Sequence, residues 1–258
     1  MGRGYVVDYD DAVFHNYDLH PSFWVRRFLG DKISKVMRYS RKVMAGNEYL
    51  AEKAVLSGAK NVLVMPTVVD GNRYFPIKDK VSGDLVKVGW IGSPTTLKYV
   101  KAILPVLEKL NQKHPFELVI IGGGAKVGFS GKETIVLWSE ENEVGEIQKL
   151  DIGIMPLSNT PWERGKCGYK LIQYMACGLP VVGSPIGVNN KLVVDGVNGF
   201  LASNEKEWEE CLERLLSNKP LRDKMGLEGN KMVQEHYTLQ KLIPHYLNVL
   251  GINKDDDH

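Results

Sequence analysis

The sequence predicts an α/β protein in which helices cover both faces of a parallel sheet. Short apolar runs rich in Val and Ile alternate with amphipathic stretches along most of the 258 residues. Strands that alternate with helices of about 10–15 residues are typical of βαβ units. The chain is 43% hydrophobic and 25% charged, which suits a protein with a sizeable core. This balance excludes a disordered, collagen-like or coiled-coil chain.

The first part of the chain reads as half of a Rossmann-like domain. Its predicted elements are, in order, a strand at 5–7, a basic amphipathic helix at about 22–41, a strand at 42–45, a helix at 47–57 and a strand at 62–65. About three strands are fewer than such a sheet usually has. Residues from about 67 to 84 are rich in Pro, Gly, Asp and Lys and lack periodicity, so we interpret them as a linker.

The second part reads as a complete Rossmann-type domain. Its predicted strands lie at 85–91, 116–121, 135–138, 152–156, 181–183 and 199–201, and its predicted helices at 96–113, 142–150, 168–177 and, with breaks near Pro220 and Tyr237, 204–250. We therefore divide the chain into a partial N-terminal domain at 1–75, a C-terminal domain at 76–251 and a disordered charged tail at 252–258.

Global composition excludes several classes of protein. The net charge of +2 gives no general reason to expect nucleic acid as a partner. Cys167, Cys177 and Cys211 have no metal-ligand spacing and an odd number, which favours free thiols in a reducing compartment. The first residues contain no apolar h-region and the sequence no apolar run of 18 residues, so we expect neither a signal peptide nor a membrane span. We expect a soluble cytoplasmic protein.

Glycine-rich corners follow three of the predicted strands in the second part. In open α/β sheets, ligands bind beyond the carboxyl ends of the strands, where these corners fall. The corners are Gly92-Ser93-Pro94, Gly122-Gly123-Gly124 and Gly165-Lys166-Cys167-Gly168. None is a dinucleotide fingerprint or a P-loop. Each corner alone also suits plain turn geometry, so glycine does not by itself establish a ligand site.

Three cations surround the start of the helix predicted at 168–177. They are Arg164, Lys166 and Lys170. The helix dipole makes cations unfavourable at this end and anions favourable. An anion between the cations and the helix would resolve the conflict, and a diphosphate is the natural candidate. A solvated basic face is the alternative.

Further polar and aromatic residues allow two interpretations each. Gln173 falls on a different face from the apolar residues of its helix, where it can bind a sugar or ribose hydroxyl or be a surface residue. Trp138, near a strand end, can stack on a nucleobase or plug the core. The carboxylates in Asp8-Tyr9-Asp10-Asp11 allow a metal site, but aspartates are also ordinary turn formers. We predict no metal site.

One long segment carries a family resemblance. The run Gly165-Lys166-Cys167-Gly168-Tyr169-Lys170-Leu171-Ile172-Gln173-Tyr174-Met175-Ala176-Cys177-Gly178-Leu179-Pro180-Val181-Val182 strongly resembles the donor-binding signature of family-4 glycosyltransferases with the GT-B fold. Segments 194–201, 88–93 and 119–124 resemble other blocks of the same domain, and 7–14 and 45–50 resemble late elements of the N-terminal domain. The resemblance covers nearly the whole chain.

The resemblance implies a glycosyltransferase acting with retention. It implies transfer from a nucleotide-diphosphate sugar to the hydroxyl of an unknown acceptor glycan or lipid-linked acceptor, in glycan or cell-envelope polysaccharide synthesis. It implies no metal or other cofactor, since cations and a helix N-terminus take the diphosphate charge. We assign the catalytic role to Lys166, Lys170 and Arg164. The predicted donor-binding residues are Gly92, Ser93, Gly123, Gly124, Trp138, Gly165, Cys167, Gly168, Leu171 and Gln173.

The sequence departs from the family pattern at several points. Two glutamates usual in the family are replaced by Gly165 and Gln173, and Trp90 stands where an Arg is frequent. Whether Lys98 replaces a usual Lys is left open. Roughly the first half of the N-terminal domain is missing, so we expect a homodimer, a separate chain carrying that half, or a protein that only binds the donor.

Two alternatives to a transferase remain open. The first is a non-catalytic or partner-dependent nucleotide-sugar-binding subunit. The second is a GT-B nucleotide-sugar epimerase, which the block at 175–182 disfavours. The basic segment that contains Arg26, Arg27, Lys32, Lys35, Arg38, Arg41 and Lys42 is either a solvated helix face or a contact for anionic lipid at the inner membrane face.

Overall fold

The structure is a computed structural model that describes residues 4–77, 80 and 83–252. The predicted disordered tail therefore lies outside the described residues, apart from Ile252. The first part of the chain forms a three-stranded parallel sheet in the order β1-β2-β3. Its strands are β1 (Val6–Tyr9), β2 (Lys42–Ala45) and β3 (Val62–Val64).

The second part forms a six-stranded sheet in the order β6-β5-β4-β7-β8-β9, with every pairing parallel. Its strands are β4 (Val86–Ile91), β5 (Phe116–Ile121), β6 (Lys132–Val136), β7 (Ile152–Met155), β8 (Val181–Gly183) and β9 (Gly199–Leu201). The strand order reverses between β4 and β7, which leaves a crevice beyond their carboxyl ends. The predicted parallel α/β architecture is confirmed.

Within the described residues, the first part of the chain contains four helices: α1 (His15–Asp18), α2 (Phe23–Leu29), α3 (Lys32–Tyr39) and α4 (Glu48–Leu56). The single helix predicted at 22–41 is wrong, because the chain leaves helical geometry at Asp31, between α2 and α3. Position 30 lies so close to the Arg26 carbonyl oxygen (2.3 Å from a Cβ built there) that only glycine fits. Asn47 caps α4 as its sequence position predicts, and its side chain accepts a hydrogen bond from the Leu50 amide at 3.0 Å.

The second part contains nine helices within the described residues: α5 (Lys98–Ala102), α6 (Leu104–Lys113), α7 (Glu143–Gln148), α8 (Pro161–Arg164), α9 (Tyr169–Ala176), α10 (Asn189–Leu192), α11 (Glu205–Ser217), α12 (Lys219–His236) and α13 (Leu239–Leu250). The helix predicted at 96–113 is divided between α5 and α6, because Pro105 lacks the N–H that would continue the first segment. The short helices α8 and α10 are not predicted by periodicity.

Both faces of the large sheet are covered by helices. All six residues of β5 are buried, and they alternate between the two core layers. Phe116, Leu118 and Ile120 face the layer that includes α6 and α11, whereas Val119 and Ile121 face the layer that includes α7 and α9. This double burial makes the second sheet a rigid support for the loops that follow its strands.

The predicted linker contacts the residue that precedes the last helix, and the last helix packs on the first sheet. Val69 is buried and forms a β-bridge with Thr238, just before α13. α13 returns to the first sheet, where Val249 packs with Met44 and Met65 although the sequence places this helix in the second domain. Of the linker predicted at 67–84, residues 78, 79, 81 and 82 lie outside the described part. No helix in the described ranges is long and apolar enough to cross a membrane.

Candidate functional site

A cavity of about 780 Å³ lies where the carboxyl ends of the two sheets face each other. The residues after β4, β5 and β7 line one side, and those after β1 and β3 line the other. Because the order of the large sheet reverses between β4 and β7, this is the position at which open α/β sheets bind ligands. Its residues are Asp10, Asp11, Thr67, Val68, Ile91, Gly92, Ser93, Pro94, Gly122, Trp138, Glu143, Met155, Lys166, Cys167, Gly168, Tyr169, Lys170 and Gln173.

The N-terminus of α9 opens into this cavity. Gly168 caps the helix in the left-handed conformation with φ of 70°, and no side chain caps α9. A Cβ at this position would lie 2.2 Å from Leu192 Cδ1, so glycine is required both by the backbone and by packing. The amides of Tyr169 and Lys170 donate to no acceptor among the described residues. Uncapped N–H groups at a helix start attract an anion.

Two of the three predicted cations line the cavity. Lys166 Nζ lies 3.2 Å from Asp11 Oδ2, and Lys170 Nζ lies 5.8 Å from the centroid of the Trp90 ring. Within the described ranges, Lys170 forms no ion pair and no hydrogen bond through its ammonium group. Burial, assisted by the neighbouring Lys166 charge, lowers the pKa of Lys170 to about 8. A half-buried ammonium without a counter-ion, beside an uncapped helix start, is an arrangement that favours binding of an anion.

Arg164 is not brought to the cavity. It ends α8, its side chain is exposed, and its Nε donates to Asn159 Oδ1 at 3.1 Å. The prediction that all three cations converge at one helix start is wrong in this respect. α8 and α9 are separate helices, and the turn through Gly165 directs the Arg164 side chain away. Its carbonyl instead packs against Gly187, where a Cβ would lie 2.7 Å from the Arg164 oxygen.

A buried hydrogen-bond network adjoins the cavity. Gln173 is only 2% exposed, and its Nε2 donates to the Tyr74 hydroxyl at 3.0 Å and to Glu143 Oε1 at 2.9 Å. Glu143 also accepts from the Tyr74 hydroxyl and from the Trp138 indole N–H. Burial and the hydrogen bond to Glu143 raise the pKa of Tyr74, which keeps its hydroxyl protonated.

The sequence interpretation of Gln173 needs correction. Gln173 lies apart from the apolar core residues of its helix, as predicted, but the alternative that it is a surface residue is wrong, because Tyr74 and α7 cover this face. Gln173 nevertheless lines the cavity. Tyr74 and Glu143 are functional candidates that the sequence analysis missed. Tyr74 falls in the predicted linker, where nothing in the local pattern indicates burial.

The glycine corners after β4 and β5 reach the cavity only in part. Gly92 and Ser93 line it, and so does Gly122. Gly123 and Gly124, both predicted as donor-binding, do not. A Cβ at Gly123 would lie 2.5 Å from Ile120 Cγ2, so this glycine is required for packing against the core.

Trp138 lines the cavity beyond the end of β6. The strand ends at Val136, earlier than predicted, and the indole is 53% exposed. The alternative that this indole plugs the core is therefore wrong. The tryptophan that fills the core of the large sheet is Trp90, which is almost fully buried. The exposed indole remains available to stack on a planar ligand.

The other predicted donor-binding residues contact the first part of the chain or the core. A Cβ at Gly165 would lie 2.4 Å from the Ala12 Cβ, and Asn47 Nδ2 donates to the Gly165 carbonyl at 3.0 Å. Cys167 lines the cavity but packs closely on Gly46, and burial raises the pKa of its thiol to about 12. Leu171 is fully buried in the core and does not line the cavity.

The carboxylates after β1 form the opposite wall. Asp11 Oδ1 accepts from the Ala12 amide at 3.0 Å, and its Oδ2 pairs with Lys166. Asp10 also lines the cavity. In the described part of the chain, no group of three or more His, Cys, Asp or Glu side chains could hold a metal ion. The metal interpretation of residues 8–11 therefore has no geometric support.

Two solved structures share the fold of this chain. Sucrose-phosphate synthase from Thermosynechococcus elongatus superimposes with a TM-score of 0.75 at 15% identity, covering 98% of this chain and 69% of that one. Anabaena HepE, solved with UDP and glucose, gives a TM-score of 0.78 at 16% identity, covering 96% and 72%. The two-sheet architecture is that of a GT-B glycosyltransferase, as the resemblance implies.

The family follows from the sequence comparison. The family model described as glycosyl transferases group 1 matches residues 85–218, and the chain belongs to this family. A probable sucrose-phosphate synthase of Thermosipho melanesiensis is 27% identical over 206 residues, covering 73% of this chain and 47% of that protein. A D-inositol 3-phosphate glycosyltransferase of Stackebrandtia nassauensis is 24% identical over 196 residues, covering 64% and 43%. The chain thus spans about half the length, or less, of these curated relatives.

Proposed function

We propose that this chain transfers a sugar from a nucleotide-diphosphate donor to an acceptor hydroxyl. The observation that carries the proposal is the pairing of Lys170, a half-buried ammonium without a counter-ion among the described residues, with the uncapped start of α9 in the main cavity. The proposal is supported by the family and by a structural neighbour solved with UDP and glucose.

The donor's diphosphate would lie between Lys166, Lys170 and the first amides of α9. As the bond from the sugar to the diphosphate breaks, negative charge grows on the departing oxygen. Two ammonium groups and a helix N-terminus already oriented toward that position stabilise the charge without reorganisation. Trp138 supplies an aromatic face for the base, and the Gln173 amide supplies a polar contact for the sugar or ribose.

The proposed reaction needs no metal ion. Lys166 and Lys170 supply the positive charge that a divalent cation supplies in other phosphate sites. We therefore expect turnover to be the same with EDTA and with added Mg²⁺. Retention of the anomeric configuration is also part of the proposal, and NMR of the first product formed would show whether the new bond keeps the donor's anomeric form.

Nucleotide binding tests the proposal directly. UDP, GDP, ADP and dTDP, each with its monophosphate, would be titrated against the full chain by calorimetry. One diphosphate should bind, and Lys166→Ala and Lys170→Ala should each weaken it at least tenfold. Lys101→Ala, which removes an exposed cation of α5 that does not line the main cavity, is the matched control. Unchanged diphosphate affinity in both cavity variants would contradict the proposal.

A donor-binding subunit without catalytic activity is the second candidate. The observation that favours it is the small first sheet, whose strand β1 is paired on one edge only among the described residues. A homodimer or a separate chain that completes the sheet stays a prediction, which light scattering of the purified chain would test. Donor turnover by the chain alone would exclude the subunit.

We further propose that the chain works in the cytoplasm, at the inner membrane face. α2 has no buried residue, and Trp24 is 66% exposed and stacks on Phe28 with ring centroids 5.9 Å apart. Arg26 and Arg27 are exposed on the same helix. Exposed aromatic rings beside cations suit the interface of an anionic bilayer.

Vesicle sedimentation tests this location. Vesicles containing phosphatidylglycerol should retain the chain at low salt, and pure phosphatidylcholine vesicles should not. A Trp24→Ser, Phe28→Ser double variant should lose binding, whereas Leu227→Ser, at an exposed apolar position of α12, should keep it. Equal sedimentation of the double variant would contradict the membrane proposal.

A further inference from the structure

A second cavity of about 400 Å³ lies beside the main one. It is enclosed by α1 on one side and by the residues that follow β4 and β7 on the other. Its residues are Asn16, Thr95, Thr96, Lys98, Tyr99, Ser158, Thr160, Trp162 and Glu163. None of them was predicted as a ligand site from the glycine corners.

The side chains of this cavity share one chemistry. Five carry hydroxyl groups, and Asn16 and Glu163 add an amide and a carboxylate. Trp162 adds an indole. Four of the five hydroxyls bond within the protein, to Ser93 or to Glu163. A ligand rich in hydroxyl groups can pair with the polar groups that these bonds leave open, whereas an apolar ligand cannot. The single aromatic ring offers a surface for the C–H face of a sugar ring. This composition favours a carbohydrate.

Glu163 is held in place as a charged acceptor. It is buried, and it accepts hydrogen bonds from the Tyr99 hydroxyl and from the Thr160 hydroxyl. Burial alone would raise the pKa of Glu163, but these hydrogen bonds outweigh burial and hold the pKa below its ordinary value. The carboxylate therefore stays ionised at neutral pH. Because the Lys98 ammonium lines the same cavity, the two charges balance, which suits a neutral ligand.

The remaining polar groups are free to bind. Within the described residues, the side chains of Asn16 and Ser158 make no hydrogen bond, and both residues are exposed. Lys98 Nζ lies 5.0 Å from the centroid of the Tyr99 ring and forms no ion pair with any described residue. The Glu163 carboxylate can accept hydrogen bonds from sugar hydroxyls, and the amide, hydroxyl and ammonium groups around it can bind others.

The two cavities are adjacent, because side chains that line one contact side chains that line the other. Trp162 lines the second cavity, and Lys166 of the main cavity lies 6.0 Å from the centroid of its ring. The Ser93 hydroxyl, in the main cavity, lies 2.9 Å from the Thr95 hydroxyl, in the second. A saccharide in the second cavity would thus have one hydroxyl close to the diphosphate site.

We infer that the second cavity binds a neutral saccharide, which is the acceptor of the transfer. This inference rests on the proposed function. In the transfer, the acceptor oxygen bonds to the donor's anomeric carbon while the bond from that carbon to the diphosphate breaks. The acceptor proton passes to the departing diphosphate. Asn16, Trp162 and Glu163 then select the acceptor, and Lys166 and Lys170 bind the donor.

Saturation-transfer NMR tests the inference on the full chain. The probes are methyl α-glucoside, methyl α-mannoside, methyl N-acetyl-β-glucosaminide and maltose, each with and without the nucleoside diphosphate that binds. At least one saccharide should bind. Asn16→Ala and Trp162→Ala should each weaken it at least fivefold and leave nucleotide affinity within twofold. Trp138→Ala, the matched aromatic variant of the main cavity, should weaken the nucleotide and not the saccharide.

The outcomes separate this inference from the proposed function. If nucleotide binds and none of the four saccharides does, or if both second-cavity variants bind saccharide as the unaltered chain does, the acceptor site is wrong and the donor site stands. If saccharide binding depends on Asn16 but no nucleotide binds, the second cavity stands and the transferase proposal falls. Because Asn16 is exposed, its variant should fold even if Trp162→Ala does not.

Discussion

Lys166 and Asp11 form an ion pair across the main cavity, with Nζ 3.2 Å from Oδ2. Asp11 follows β1 of the three-stranded sheet, whereas Lys166 lies between β7 of the six-stranded sheet and α9. The ion pair therefore joins the two parts of the chain. Both side chains are largely buried, so the pair is less screened than one on the surface. In the proposed reaction, the Asp11 carboxylate competes with the diphosphate for the same ammonium group.

Replacing Asp11 with Asn should therefore tighten binding of a nucleoside diphosphate. The amide keeps the shape and the contact with the Ala12 amide but removes a negative charge next to the bound anion. We expect affinity to rise about fivefold, or ~1 kcal/mol. Calorimetry measures the change, and Asp31→Asn, at an exposed residue of the first part, is the control. Weaker binding in Asp11→Asn would mean that the ion pair orders the site rather than competing with the ligand.

The pKa of Lys170 makes nucleotide affinity depend on pH. In the free protein this pKa is about 8, and a bound anion favours the charged form and raises it. Affinity should then be highest below pH 8 and fall as the pH rises through 8 toward 10, with proton uptake on binding within that window. Calorimetry in two buffers of different ionisation enthalpy detects the uptake. Lys170→Arg, which cannot deprotonate, should bind without this decline.

Replacing Gln173 with Glu should destabilise the protein. The new carboxylate would face Glu143, whose Oε1 accepts a hydrogen bond from the Gln173 amide at 2.9 Å. Two adjacent buried carboxylates raise the pKa of one of them above its unfolded value, so the variant loses stability as the pH rises above about 4. We expect a loss of about 2 kcal/mol at pH 7.5. Urea unfolding at pH 4.5 and 7.5 measures it, and an equal loss at both values would contradict the electrostatic cause.

Replacing Gly165 with Ala should destabilise the protein, because the new methyl group would clash with Ala12 where the two parts of the chain pack together. The new methyl group would lie 2.4 Å from the Ala12 Cβ and 2.9 Å from its nitrogen. We expect a loss of about 1–3 kcal/mol in the free energy of unfolding. Gly145→Ala is the matched control, because a Cβ at that helical position meets nothing within 4 Å and should stabilise slightly. Equal stability of both variants would contradict close packing at Gly165.

Much of the fold is predicted correctly because strong patterns are local. The buried strands β5 and β8 and the helix α9 lie at their predicted positions, since apolar runs and periodicity reflect burial directly. Boundaries set by one residue are less reliable. The turn at Asp31 and the proline at position 105 each divide a helix that periodicity alone predicts to continue.

The candidate site is predicted where its residues are close in sequence. Lys166, Gly168 and Lys170 lie around one helix start, so the chain itself brings them together. Arg164 shows the limit of this reasoning, because one intervening turn directs it elsewhere. Gln173 shows another limit, since its burial depends on Tyr74, which is 99 residues away in sequence.

The order of strands and helices, the family and the cationic start of α9 are therefore properties of the sequence alone, since each depends on neighbouring residues. Tertiary structure decided the rest. The pairing of Asp11 with Lys166 joins residues 155 apart. The second cavity joins Asn16 of the first part to Glu163 of the second. Such contacts depend on how two sheets pack against each other, and packing is a sum of many weak interactions that no local pattern records.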